Sequence, residues 1–346
     1  MRTKEPLLGD AWPMIGGKPI LCNIGSGSPL TPRPQCGKIA FATVRSFGNS
    51  HGSRMGILNG FEHIVRESES LAPFTWLRLG GPAQYFAEPT SPGELQALVR
   101  AAHKAGLPCR LLGGGSNLLI RDEGVPGLVL HLAAAAFGKI EVNSGRVTAG
   151  GGARLGHLIS TAVREGLAGL EPLVGIPGTV GGALRTNAGT HSGDIGQYTA
   201  SATVMSSQGD IVNRRREELR FAYRDSNLDE LVILEASFDL EPGDAADLTK
   251  RMQQLWILKK AGQPLTDQSN CCVFKNPGGI SAASLIEESG LKGTRVGDVE
   301  VSERCANFIV AGPRATSRDV LELIELVRQT VSERTGAELE LAIEIW

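Results

Sequence analysis

The chain has 346 residues, 41% hydrophobic and 21% charged, a folded-protein composition at a length that exceeds one ordinary compact core. Its net charge of -2 leaves no electrostatic footprint for nucleic acid, and no run of 18 apolar residues is present to span a bilayer. Six cysteines with no CxxC pair and no Cys/His finger argue against a disulfide scaffold or a zinc site. A reducing, cytoplasmic setting and no bound metal are therefore expected.

In chain order, residues 1–65 come first. They contain the Gly/Pro/Ser-rich stretch "GGKPILCNIGSGSPLTPRPQCG" and read as a loosely ordered extension. No apolar h-region follows Arg2 and Lys4, so no signal peptide is expected, and Met55 offers an alternative start just before the globular pattern. Strands and helices then alternate. In "TSPGELQALVRAAHKAG", Ser91 suits an N-cap, Pro92 the first helical position and Glu94 a capping box, with Leu95, Leu98, Val99 and Ala102 on one stripe. "PCRLLGGGSNLLI" reads as strand, glycine loop, strand, and "GLVLHL" as a further strand. "RLGHLISTAVREG" is a helix closed by Gly166, and Glu230–Leu240 a strand. "DAADLTKRMQQLWILKKAG" is a helix with a basic last turn. A long helix follows, capped by Thr316, with Val320, Leu323, Ile324, Val327 and Val331 facing inward, and "LELAIEIW" closes the chain as a strand. The fold class expected is α+β, in lobes of about 66–130, 131–240 and 241–346.

Two stretches concentrate the glycines. The first, Gly113, Gly114, Gly115, Ser116 and Asn117, can bring backbone N–H groups close to a phosphate. It is not a Rossmann fingerprint, because strand rather than helix follows it. The second, "GLEPLVGIPGTVGGALRTNAGT", offers Gly175, Ile176, Pro177, Gly178, Thr179, Gly181, Gly182 and Asn187 as cofactor-binding candidates. Little side-chain volume is present there to bury, which suits a large ligand lying on main chain. Two such loops fit a dinucleotide, diphosphate at one and ring system at the other, and without a Rossmann unit FAD is favoured over NAD.

The segments "TWLRLGGPAQYF", "LLGGGSNLLIRDEGVPGLVL", "GLEPLVGIPGTVGGALRTNAG", "FAYRDS", "CVFKNP" and "VSERCANFIV" occur in this order, and together they resemble the UDP-N-acetylenolpyruvoylglucosamine reductase family over about residues 66–346. The resemblance implies a two-subdomain FAD-binding unit of the vanillyl-alcohol-oxidase type (66–240) and a C-terminal α+β substrate domain (241–346). It implies that NADPH reduces the flavin, which then passes a hydride to C3 of the enolpyruvyl group of UDP-N-acetylglucosamine-enolpyruvate. Protonation at C2 gives UDP-N-acetylmuramate for peptidoglycan synthesis. The partners implied are the UDP-sugar and NADPH, with no nucleic acid, no membrane insertion and a monomeric chain.

The same resemblance assigns roles. Arg224 of "FAYRDS" stabilises the enolate, for which a planar, permanently charged guanidinium is suited. Cys272 stands at the family's serine position as the proton donor, and a thiol with an ordinary pKa of about 8.5 suits the task. Strand alternation turns Cys271 the other way, into packing. Tyr223, Ser226, Lys275 and Asn276 are substrate-binding candidates. The family ends near "LEPEV", whose second glutamate assists protonation, whereas "LELAI" places Ala342 there. On a continuous strand Glu340 and Glu344 would share the Ala342 face, each roughly 6–7 Å away along it, and Glu344 ranks first as a replacement. Two alternatives stay open: another FAD-linked oxidase of this fold, and a non-catalytic flavin- or UDP-sugar-binding paralogue, which Ala342 would favour.

Overall fold

The computed structural model describes residues 58–264 and 270–346. Met55 and the expected extension up to residue 57 lie outside the described residues; Leu58 and Ile64 are already buried in a core. The first lobe comprises β1 (Val65–Ser70), β2 (Pro82–Ala87), α1 (Pro92–Lys104), β3 (Cys109–Leu112), β4 (Leu118–Leu119) and β5 (Val125–His131). Ser91 caps α1 by accepting from Glu94 N, while the Glu94 carboxylate reaches past the cap to Thr90 N at 2.6 Å. The apolar stripe Leu95, Leu98, Val99 and Ala102 is fully buried against Tyr85, Leu128 and Leu130. Strand order is β1-β2-β5-β3, parallel from β2 onward, and β4 is not part of this sheet.

The second lobe contains β6 (Ile140–Asn143), β7 (Arg146–Gly150), α2 (Leu155–Arg164), α3 (Val180–Arg185), β8 (Thr199–Met205) and β9 (Ile211–Arg215). A short hairpin follows, β10 (Phe221–Ala222) and β11 (Asp225–Ser226), then β12 (Val232–Asp239) and α4 (Ala245–Gly262). The sheet is antiparallel in the order β9-β8-β12-β7-β6, and α2 and α3 bury Leu155, Leu158, Ile159, Val180 and Leu184 with Ala202, Val204, Ala236 and Phe238. The third lobe holds β13 (Asn270–Cys272), α5 (Ala282–Glu288), β14 (Arg295–Val296), β15 (Val299–Val301), β16 (Phe308–Ala311), α6 (Ser317–Thr335) and β17 (Glu344–Ile345). Thr316 and Asp319 cap α6 reciprocally, and Gly336 ends it in the left-handed region. The inward stripe Val320, Leu323, Ile324, Val327 and Val331 is buried as expected, and this core also takes in Leu77, Leu79 and Leu119 from the first lobe.

One expectation is corrected. The chain does not close as a single strand. Leu341 bridges Phe274, the chain bends at Ile343, and β17 then pairs in parallel with β4. Alternation from Glu340 through Ala342 to Glu344 is therefore broken, because the bend resets which way successive side chains point. Glu340 lies 3.6 Å from Lys275 Nζ, and Glu344 Oε1 accepts from Trp346 Nε1 at 2.9 Å.

Candidate functional site

The glycine loops lie directly against each other. A methyl on Gly114 would come within 2.7 Å of Gly178 Cα, and one on Gly113 within 2.9 Å of Thr179 Oγ1. Ser116 Oγ donates to Pro177 O at 3.3 Å. Gly115 has φ +63° and would drive a methyl to 2.1 Å from Phe74 O, so only glycine fits that turn. Among the described residues, the backbone N–H groups of Gly114, buried Gly115 and Ser116, and of Gly178 and Thr179 opposite, meet no protein acceptor. Successive unpaired amides in side-chain-poor loops suit an anionic group such as a dinucleotide diphosphate.

Not every expected residue has its polar groups free for a ligand. Ile176 N bonds Leu173 O, Gly181 N bonds Gly151 O, and Gly182 N donates to Thr179 Oγ1. Gly175 is roofed by α4, since a methyl there would meet Trp256 Cζ3 at 2.9 Å and Lys259 Cδ at 3.3 Å. The buried Glu171 steadies the same loop, accepting from Gly169 N at 2.7 Å and pairing with Arg251 at 3.0 Å. Asn117 and Asn187 use their side chains within the protein. Asn187 donates to Ala222 O (2.8 Å) and accepts from Gly196 N (3.1 Å), which pins the base of the β10–β11 hairpin. Asn117 Nδ2 donates to Ala342 O at 2.8 Å.

The hairpin tip carries Tyr223 and Arg224. Its register, Ala222 opposite Asp225, leaves a two-residue turn that Arg224 completes at φ +57°. A non-glycine residue in the left-handed region costs about 1–2 kcal/mol, and such strain persists only where the surrounding structure over-determines it. Ser226 Oγ secures the hairpin by donating to Arg185 O at 3.0 Å, while Tyr223 OH accepts from Asn276 N at 3.1 Å. Asn276 Oδ1 accepts from Ala282 N, at the start of α5. The Arg224 guanidinium lies 5.9 Å from the Tyr223 ring centre.

Arg224 faces two titratable groups. Burial pushes the Cys272 thiol up to about 11, while the Arg224 charge draws it back. Burial also pushes the Lys259 ammonium down to about 8, with Arg224 acting the same way as a like charge. Lys259 Nζ donates to Val174 O at 2.6 Å. Neither Lys259 nor Arg224 has a carboxylate partner among the described residues. Cys271, by contrast, is buried in the core and its thiol is pushed strongly up. The structure thus brings Tyr223, Arg224, Cys272 and Asn276 together with the loop at Gly175, and it leaves Lys275 on Glu340 and Glu344 on Trp346. Lys259 and Trp256 were missed from the sequence. Their signal, a basic and apolar last turn ahead of "CVFKNP", read only as favourable helix termination.

A family model described as an FAD binding domain matches residues 83–214, and one described as the UDP-N-acetylenolpyruvoylglucosamine reductase C-terminal domain matches residues 263–346. The fold and the amide-lined loops therefore define an FAD-binding oxidoreductase with a separate C-terminal domain. A reductase of that name, number 2 of Symbiobacterium thermophilum, is 45% identical over 82% of this chain and 92% of its own length, and that of Rhodopirellula baltica 40% over 82% and 93%. The crystal structure of the Thermus caldophilus reductase superposes with a TM-score of 0.71 at 37% identity, covering 82% of this chain and 99% of that one. The chain belongs to the UDP-N-acetylenolpyruvoylglucosamine reductase family.

Proposed function

We propose that the chain catalyses the NADPH-dependent, FAD-mediated reduction of the enolpyruvyl ether of UDP-N-acetylglucosamine-enolpyruvate to UDP-N-acetylmuramate, in the cytoplasm, for peptidoglycan precursor synthesis. FAD would lie with its diphosphate on the amides of Gly114–Ser116, Gly178 and Thr179; when bound, it supplies hydride transfer. The observation that carries the reading is the corner where Arg224 and Lys259, cations with no carboxylate partner among the described residues, converge beside a partly open thiol. Two neighbouring cations create a local demand for anions, and a substrate with a carboxylate and a diphosphate meets it.

The residues divide the work as follows. Arg224 holds the substrate carboxylate and stabilises the enolate that forms as C3 is reduced, because its planar fork can make two parallel hydrogen bonds. Cys272 is protonated at neutral pH, since its pKa is raised, and it delivers that proton to C2. The thiolate left behind is stabilised by the Arg224 charge and is reprotonated from solvent. Lys259 and the 274–276 segment receive the phosphates. Asn187 and Ser226 position the hairpin that carries Tyr223 and Arg224. Glu344 stays the candidate carboxylate to assist protonation; one of its two oxygens accepts from the Trp346 indole.

The test is a two-stage assay on the purified protein. NADPH should bleach the flavin absorbance, and UDP-N-acetylglucosamine-enolpyruvate should restore it with stoichiometric UDP-N-acetylmuramate. Bleaching without restoration would remove the proposed substrate.

A further inference from the structure

The two arms of the first glycine loop are anchored on different bodies. Its entry arm ends at Leu112, paired with His131 in the first-lobe sheet. Its exit arm, β4, leaves that sheet and, among the described residues, pairs only with the C-terminal segment, Glu344 opposite Leu118 and Ile345 opposite Leu119. Trp346 N donates to Leu119 O (2.9 Å) and Arg121 N to Trp346 O (3.0 Å). Arg110 stacks on the Trp346 ring at 5.4 Å. Further along, the Asp122 carboxylate accepts from Ser317 N (3.0 Å) at the start of α6, and Asp122 N donates to Ser317 Oγ (2.9 Å).

Asn117 stands at the junction. Its carbonyl accepts from Glu344 N at 3.0 Å, and its Nδ2 donates to Ala342 O at 2.8 Å, so it grips the tail on both sides of the bend at Ile343. Ala342 N in turn donates to Val273 O at 2.7 Å, one residue beyond Cys272. A single residue of the tail therefore bonds the loop facing the cofactor on one side and the strand carrying the thiol on the other. Its own side chain is only a methyl group. At this position the backbone performs a task that needs no side-chain chemistry.

Resting on the FAD reading of the glycine loops above, we infer that Asn117 is a positioning residue: through Ala342 it couples FAD retention to the placing of Cys272. The residues from Ala342 to Trp346 then act on the cofactor as well as on the substrate domain. Asn117→Asp keeps the shape and removes the N–H donor, leaving a carboxylate oxygen against Ala342 O, and an acceptor facing an acceptor in this part-buried site is unfavourable.

The experiment compares wild type with Asn117→Asp in three measurements. FAD affinity of the apoprotein should weaken at least tenfold. Amide hydrogen exchange at residues 113–119 of the apoprotein should quicken. In the reconstituted enzyme, flavin reoxidation by UDP-N-acetylglucosamine-enolpyruvate should slow at least tenfold, with the substrate KM within a factor of three. A substitution that merely lowers stability would leave the affinity and the reoxidation rate of the folded fraction intact. Unchanged FAD affinity, or normal reoxidation once saturated with FAD, overturns the coupling. Should Asn117→Asp fail to fold, Asn117→Ala removes the Nδ2 donor to Ala342 O without placing a second acceptor against it. It should weaken FAD binding severalfold, and an unaltered value would refute the inference. Wild-type protein that binds no FAD would instead defeat the functional reading itself.

Discussion

The glycine loops and the cationic corner sit side by side but are held in opposite ways. In the loops, shape is enforced by contact: a methyl on Gly115 would approach Phe74 O to 2.1 Å, and one on Gly114 would approach Gly178 Cα to 2.7 Å. In the corner, shape is held against its own preference. Arg224 occupies a left-handed turn, Lys259 keeps a charge beside another cation, and Cys272 is raised by burial. The first region is at its steric minimum and exposes main-chain amides rather than side chains. The second holds a strained turn and two neighbouring cations that, among the described residues, have no carboxylate partner. Damage to the loops should therefore cost structure and cofactor together, whereas damage in the corner should cost turnover alone.

Substitutions can break that contrast, beginning with the largest effect. Cys272→Ala should lower turnover by about 100- to 10,000-fold, with flavin reduction by NADPH intact, while Cys272→Ser retains much of the rate. Equal rates in wild type and Cys272→Ala would retire the thiol as proton donor. Arg224→Gly is the sharper probe of stored strain. Turnover should fall by about 100- to 1,000-fold, yet the melting temperature should hold or rise, because relief of the left-handed arginine is worth about 1 kcal/mol. A clear loss of stability would place Arg224 in the scaffold instead.

Gly115→Ala tests the opposite side. It should cost about 1–3 kcal/mol and strip FAD from the protein, read by thermal unfolding and by flavin content after gel filtration. A stable, fully flavinated variant would show that the loop is not at its steric limit. The smallest effect concerns Lys259. With its pKa lowered to about 8, the ammonium is charged below that pH and neutral above it. The KM for the anionic UDP-sugar should thus rise severalfold as pH passes about 8. Lys259→Arg should flatten that rise by keeping the charge, since a guanidinium stays protonated beyond pH 12. A flat wild-type profile would take Lys259 out of substrate binding.

Local rules were legible in the sequence wherever the cause was local. Ser91 and Thr316 cap their helices, the stripes of α1 and α6 are buried, and Cys271 and Cys272 differ in burial as alternation requires. The closing strand was misread because alternation assumes one partner, while the tail exchanges partners at Ile343, pairing first with the 273–275 segment and then with β4. No local pattern encodes an exchange of that kind.

By itself, the sequence determined the order of elements, the two glycine-rich loops and the family motifs, since each rests on residues within a few positions of one another. Only the tertiary structure decided that Lys259 faces Arg224, that the carboxylate of Glu344 is engaged by Trp346, and that Asn117 bonds Ala342, 225 residues along the chain. Those contacts depend on how separate lobes pack, and packing sums many weak interactions between residues remote in sequence.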